Sequence, residues 1–544
     1  MTVKRQILRS ASVIAFVTAI SRICGYLRDQ RVALLLGTSP AADSFILAFR
    51  IPSLIRRMTG ENSLGASFIP VFSGYLHDRP RPEAWAFAQK VFWDLAAALA
   101  VVTILGAVFS RQVIYIFTVF GAEKVHWDLA IYLNRIIFPA VFFIGLAALA
   151  AAILNSFHIF GLPASTPIFF NLIVVGFSFG IFYRPILRWA PAAYQTPAVA
   201  LGFGILIGGA VQLAIQIPAL VRLGMPMGVS LSLTDPGVRK VGRLLGPSFF
   251  GMSVYQINMM VDTIFATSPR MPTGSVTSLY IADRVMQLVL GSYAIAMSTA
   301  LLPTMSLQAA SGQFVEMKHT FGFSLRIVSF IALPAAVGLI LLRQPIIQVL
   351  FQHGRFEADS TALTARALLY YSLGLPAFAA SKLITPMFYS AQNTMTPARV
   401  GAWSLAMNIG LNSVFLLFFF RQLSNGSPAL ASAIAAYFNF GLLFFLFRKQ
   451  YGRLGARGLA GSLGKMAACS VAMAAVAYAG LSYWRAAEIQ HVLARAAVLA
   501  VMIFVSVAVY TAMAWLLKCE ELTELFLLFR RAEPGAAPAM GTEI

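Results

Sequence analysis

Apolar segments of helical length recur from one end of this chain to the other, and nothing else in the sequence limits its fold as strongly. They are separated by Gly, Pro or charge and begin near residues 10, 41, 88, 130, 162, 197, 240, 277, 320, 361, 398, 428, 463 and 493. A helix needs about 20 apolar residues to cross a bilayer. The segments are too long for strands and lack period-two alternation. The expectation is an all-α polytopic membrane protein with about fourteen transmembrane helices. Composition agrees: 59% of residues are hydrophobic and 11% charged, where a soluble domain carries roughly 25% charged residues. A net charge of +21 would suggest nucleic acid for a soluble protein. Here it belongs to basic loops and termini, and no nucleic-acid partner is expected.

Loop charge sets the expected orientation. One set of loops carries about 20 Lys and Arg, among them Lys4, Arg5, Arg239, Lys240, Arg243, Arg448 and Lys449, against about 9 in the alternate set. By the positive-inside rule both termini face the cytoplasm, which suits an even helix count. Met1–Ala11 is short and basic with no small-residue cleavage site after it, so the first helix reads as retained. Cys24, Cys469 and Cys519 show no pairing pattern, and the six histidines have no ligand spacing.

An internal repeat is visible at an offset of about 233 residues. Pro70 and Ser73 match Pro303 and Ser306; Arg111-Gln112 ahead of Gly121 match Arg343-Gln344 ahead of Gly354; "SFHIFGLPA" from Ser156 matches "SAQNTMTPA" from Ser390. The offset spans six helices, an even number, so the halves share one orientation and form a parallel repeat. Expected are an N-lobe at 1–225, a C-lobe at 238–450, two added helices within 460–518 and a cytoplasmic tail at 519–544. Two such lobes meeting at polar groups suit alternating access around a central cationic cavity. The plainer reading is a bundle whose buried charges pair with each other.

The charges within the apolar segments are the strongest functional signal. The first helix contains "SRICGYLRDQ", with Arg22, Arg28 and Asp29, then Arg31. At 100° per residue Arg22 and Asp29 share a face, while Arg28 lies about 120° from Arg22. Gly25 is placed to bend the helix between the two arginines. In the second helix Asp43, Arg50, Arg57 and then Glu61 form one polar stripe, with Arg56 one step away. Pro52, Gly60 and Gly65 mark this helix as broken or kinked. Six arginines face three acids here, and each arginine at a bilayer centre costs about 2.5–3.5 kcal/mol on insertion scales. Pairing leaves a positive surplus, which favours a water-filled cationic cavity. Asp283-Arg284 in "SLYIADRVMQLVLG" adds charge from a later helix; Arg135, Arg326, Arg366 and Lys382 are further candidates.

Arginine grips phosphate bidentately, so several convergent arginines suit a diphosphate-bearing anion. Asp262, with Asn408 and Asn412 four residues apart on one helix, is a candidate Na⁺ site built from oxygen ligands; helix-packing asparagines are the plainer reading. No phosphate loop and no metal-binding acidic cluster point to an ATPase or a lipid-diphosphate enzyme. A transporter, not an enzyme, is expected.

The opening "SRICGYLRDQRVALLLGTSPAADSFILAFRIPSLIRRMTGENSLGASFIPVFSGYL" resembles the N-terminal signature of the MurJ (MviN) lipid II flippase family, within the multidrug/oligosaccharidyl-lipid/polysaccharide exporter superfamily. "SVTSLYIADRVMQLVLGSYAIAMSTALLPTMS", "LFQHGRFEADST" and "FYSAQNTMTPARV" are similar to later segments of the family. The likeness thins after about residue 450, and "MTGENS" departs from the family pattern around Glu61. The resemblance implies that Arg22, Arg28, Arg56 and Arg284 line the cavity and bind the diphosphate and sugar of lipid II, with Asp43 in support. It implies a monomer in the bacterial inner membrane, with the two added helices forming a groove for the lipid tail. It also implies export from the cytoplasmic to the periplasmic leaflet, driven by membrane potential or an ion gradient, with no cofactor beyond a candidate Na⁺. Two alternatives share the fold: a flippase for another polyprenyl-diphosphate glycan, and a Na⁺- or H⁺-coupled drug antiporter.

Overall fold

The computed structural model describes residues 3–59, 63–119, 126–232, 234–452, 456–486 and 491–531. Among these there are helices and no strands. In order they are α1 (Val3–Leu36), α2 (Pro40–Thr59), α3 (Ser63–Asp78), α4 (Arg81–Val108), α5 (Ser110–Phe117), α6 (Trp127–Ile137) and α7 (Ala140–Ser156). Next come α8 (Gly161–Gly176), α9 (Gly180–Trp189), α10 (Pro197–Ala214), α11 (Ile217–Arg222), α12 (Pro236–Ala266), α13 (Ser275–Ala310) and α14 (Phe314–Phe351). The last are α15 (Ala358–Ser390), α16 (Met395–Phe418), α17 (Phe420–Leu423), α18 (Ser427–Tyr451), α19 (Ala456–Ala486), α20 (Val492–Leu516) and α21 (Glu520–Arg531).

Every helix start read from the sequence falls inside one of these helices. In lipid the backbone must satisfy its hydrogen bonds within the segment, which leaves helices as the solution for apolar runs this long. Nine helical stretches among the described residues are long and apolar enough to cross a membrane. The charge-bearing helices α1, α2, α12 and α13 are not among the nine. Helix α1 runs through Gly25, and α2 runs through Pro52 and ends at Thr59. A proline removes one i→i−4 bond, and packed neighbours in a membrane bundle tolerate that loss. Residues 520–531 of the expected tail form the helix α21.

The chain divides into two compact units. The first comprises Met1–Ile281, Leu350–Leu363 and Ile409–Pro428; the second comprises Ala282–Val349, Thr364–Asn408 and Ala429–Ile544. Within the first, α1 packs along α8, and α10 packs along α7 and α8. Its aromatic core lies where α3, α4 and the end of α7 meet. Trp85 stacks on Phe157 with centroids 5.1 Å apart, and Phe72 meets Phe157 edge-on at 6.0 Å. Phe68, Phe72 and Phe87 are fully buried there. The entry to α12 reads "TDPGV": Asp235 Oδ1 accepts from Gly237 N at 2.8 Å, with Pro236 in the first turn. Lys90 Nζ donates to Asp235 Oδ2 at 2.9 Å. Partial burial works to raise the Asp235 carboxyl, but Lys90 and the backbone N–H groups outweigh it and hold it below the ordinary carboxylate value.

In the second unit, Phe330 of α14, Met466, Cys469 and Met473 of α19, and Tyr510 of α20 form a buried cluster. Tyr510 Oη donates to Phe330 O at 2.8 Å. Arg326 donates to Glu520 at 3.1 Å and lies 3.8 Å from Glu521, which fastens α21 to α14.

Candidate functional site

The centre of the site is on α1. Arg28 and Asp29 are each 9% exposed, in an otherwise apolar part of the first unit. Arg28 Nε and Nη2 both donate to Asp29 Oδ1, at 3.0 and 2.7 Å. Adjacent helical residues do not face each other; the long arginine side chain folds back to reach its neighbour. Nη1 donates to Asn171 Oδ1 on α8 at 3.0 Å, and Nη2 to Tyr280 Oη on α13 at 3.4 Å. Tyr280 Oη in turn donates to Asp29 Oδ1 at 3.2 Å. The guanidinium also lies 5.5 Å from the centre of the Phe49 ring on α2, within cation–π range. The cavity beside this cluster, closed off by Phe45, Phe49 and Val174, has a volume of about 10 Å³, room for one water. A diphosphate enters only after these side chains move.

Around the end of α1 and the start of α2, a second constellation lies in the same unit. Asp43, 4% exposed, accepts from Gly274 N at 2.8 Å through Oδ2, and from Thr277 N at 2.8 Å and Thr277 Oγ1 at 2.7 Å through Oδ1. It therefore caps the N-terminus of α13 from α2. Beside it Thr38 Oγ1 and Ser360 Oγ are 2.8 Å apart, and Arg355 N donates to Leu34 O at 2.9 Å. Leu350 O accepts from Tyr26 Oη at 3.0 Å and from Gln30 Nε2 at 3.1 Å. Asn425 Nδ2 joins Ser278 Oγ at 2.9 Å to Leu363 O at 2.8 Å. Together these bonds make a polar seam among the ends of α1, α2, α13 and the segment 350–363.

The other sequence-derived residues are placed as follows. Arg50 Nη1 donates to Met259 O at 3.2 Å and to Thr263 Oγ1, on α12. Arg22 is exposed. The side chains of Arg56, Arg57 and Glu61 lie outside the described residues. In the second unit Arg284 is half-buried, and Asp283 is buried and accepts from Gln287 Nε2 at 2.7 Å. Asp262 Oδ1 accepts from Asn412 Nδ2 at 3.1 Å in the first unit. Asn408 Nδ2 donates to Ser432 Oγ at 3.2 Å in the second. Arg135, Arg366 and Lys382 are exposed, and Arg326 serves the α14–α21 link described above.

Sequence reasoning missed Asn171, Tyr280 and Thr277. Asn171 had a visible signal, a lone amide in the apolar run "IFFNLIVVG". Thr277 had none, because its partner lies 234 residues away.

The family model described as "Lipid II flippase MurJ" matches residues 32–499. The chain belongs to the lipid II flippase MurJ family. A probable lipid II flippase MurJ of Vibrio cholerae is 32% identical over 454 residues, covering 82% of this chain and 83% of the relative. One from Rickettsia prowazekii is 30% identical over 515 residues, covering 94% and 97%. Among solved structures, a lipid II flippase MurJ in an inward closed conformation matches with a TM-score of 0.75 at 24% identity, over 93% of this chain and 98% of that one. An inward-facing multidrug resistance MATE family transporter of the MOP superfamily matches with a TM-score of 0.63 at 14% identity, over 83% and 99%. The fold is the one these transporters share, and the chain is a multi-pass membrane protein of a transporter family, not of an enzyme family.

Proposed function

We propose that this chain is a lipid II flippase that moves the undecaprenyl-diphosphate-linked precursor outward across the bacterial inner membrane by alternating access. The observation that carries the reading is Arg28: a buried guanidinium on α1, held by Asp29, Asn171 and Tyr280. Intramembrane arginines are costly and are kept where they work. Arg28 offers a planar fork matched to phosphate. Arg22, Arg56 and Arg284 are the further groups proposed for the diphosphate and sugar, with Asp283, Arg50, Arg57 and Glu61 as supporting charges. The N-lobe at 1–225 and C-lobe at 238–450 move as the alternating halves, and the helices within 460–518 guide the lipid tail. The chain works as a monomer.

With both termini cytoplasmic, the seam around Asp43 lies at the outward end, and its hydrogen bonds hold that end shut until substrate is loaded. The direction follows from charge. The cytoplasm is electrically negative, so an anionic head group moving outward gains about 2.3 kcal/mol per charge per 100 mV. Resetting uses Na⁺, with the Asp262 carboxylate its proposed ligand; Asn412 presents an N–H to that carboxylate, and Asn408 presents one to Ser432.

The test is depletion and rescue. The chain and its Arg28→Ala variant are expressed in bacteria depleted of their own lipid II flippase, and lipid II reachable by an external probe is measured. Rescue by the parent and not by Arg28→Ala is the expected result. A well-inserted parent that restores no exposure overturns the substrate, and equal rescue by Arg28→Ala overturns the site. Repeating the assay with Na⁺ replaced by K⁺ tests the coupling ion.

A further inference from the structure

We infer that Asn171 is a positioning residue, which sets the plane of the Arg28 guanidinium without spending its charge; this inference rests on the reading of Arg28 as a substrate-binding group.

Three observations converge on it. The first is geometric. Asp29 takes the Nε–Nη2 edge of the guanidinium through a single oxygen, with Tyr280 Oη on the same edge at 3.4 Å; these acceptors leave Nη1 to a partner on another side. Asn171 Oδ1 takes Nη1 at 3.0 Å from a different helix. Acceptors on both the Nε–Nη2 edge and Nη1 of a rigid planar fork fix its orientation, which bidentate recognition of phosphate requires to within about 10–20°.

The second is that Asn171 is itself fixed. It is 6% exposed, and its Nδ2 donates to Ser21 O at 3.3 Å. The amide therefore bridges α1 across two turns, from the carbonyl of Ser21 to the guanidinium of Arg28. Gly25 sits under that bridge: a Cβ at this position would meet Asn171 Nδ2 at 3.6 Å. That is ordinary van der Waals contact, so a methyl fits beneath the amide and a larger side chain does not.

The third is chemical. Asp29 already provides one carboxylate for Arg28. An amide oxygen orients the cation as well as a carboxylate does but adds no charge, so the positive potential of Arg28 is not cancelled a second time before the anion arrives. An aspartate at position 171 would orient the guanidinium equally well and compete with the substrate.

The experiment is a double-mutant cycle on the full-length chain in nanodiscs. The probe is a lipid II analogue with a shortened prenyl chain, and the readouts are its Kd and the Tm of each variant. Asn171→Leu is expected to weaken binding about tenfold. In an Arg28→Ala background the same substitution is expected to change Kd by less than twofold, because a residue acting through Arg28 has nothing left to act on. Asn171→Asp provides a second arm should the leucine variant fail to fold. It keeps the acceptor, and it is expected to weaken binding in the parent and not in Arg28→Ala. Gly25→Ala is expected to bind normally and Gly25→Leu to reproduce Asn171→Leu.

Equal weakening in both backgrounds would make Asn171 a packing residue of the α1–α8 contact and overturn the inference. Unchanged binding in Asn171→Leu, with Arg28→Ala impaired, would overturn it while leaving the Arg28 site standing. Unchanged binding in Arg28→Ala would remove both.

Discussion

Asp43 caps a helix that begins more than 230 residues after it. Its two carboxylate oxygens take Gly274 N and Thr277 N, each at 2.8 Å, so a side chain of α2 completes the first turn of α13. A capping interaction of this type contributes about 1 kcal/mol, and more when the acceptor is charged and buried. Asp43→Asn keeps the shape and one acceptor oxygen. It is expected to loosen the seam and lower transport several-fold with little change in expression. Asp43→Ala is expected to abolish transport. The lipid II exposure assay, with membrane-fraction blots as control, checks both.

Thr38 and Ser360 offer a direct handle on the same seam, their hydroxyl oxygens being 2.8 Å apart. Cys24, Cys469 and Cys519 are free thiols, so the test starts from a chain with all three replaced by Ala. Cysteines placed at 38 and 360 are expected to crosslink under mild oxidant, to stop transport while crosslinked, and to release it on reduction. Transport that continues at full rate in the crosslinked protein would show that the seam does not open.

Gly274 has φ +85°, and a Cβ there would lie 2.4 Å from Thr38 O. Left-handed backbone costs an L-residue about 1–2 kcal/mol, and the clash with a carbonyl adds to it. Gly274→Ala is expected to lower Tm by several degrees in detergent, whereas Gly242→Ala, with open space around it, is expected to leave Tm within a degree.

Asp235, at the entry to α12 and outside the candidate membrane spans, gives a pH signature through its pair with Lys90. Asp235 titrates below its ordinary value in the folded chain. Its contribution to stability is therefore complete above the unfolded carboxylate pKa of about 3.9 and is lost as pH falls through the lower folded value. Between pH 6 and pH 3 the parent is expected to lose more Tm than Asp235→Asn, and the two curves should converge at the acid end. Parallel curves would mean that the pair contributes nothing.

What could be read from the sequence, and what could not, divides along the range of the interactions. Helix positions were legible because apolar length and backbone self-sufficiency are local properties. Arg28 stood out because its cost in a membrane is local too. Its partner was not legible: the periodicity put Asp29 on the face of Arg22, and the flexibility of the arginine stem brings Arg28 to Asp29. Gly25 was read as a bend and Pro52 as a break or kink by intrinsic propensity, and both lie inside helices, α1 and α2. The cap by Asp43 joins a side chain to backbone amides far along the chain, and backbone amides carry no sequence signal.

That last point reaches beyond a single cap. Much of the seam is written in main-chain atoms: Leu34 O, Leu350 O, Leu363 O, and the N–H groups of Gly274, Thr277 and Arg355. Every residue type except proline presents the same N–H, and every one presents the same carbonyl. Side chains at most of these positions are therefore free to drift over evolutionary time while the join itself survives, provided that the few residues reaching into it, Asp43 above all, are kept. Distant relatives can thus preserve this latch with little to show for it in an alignment.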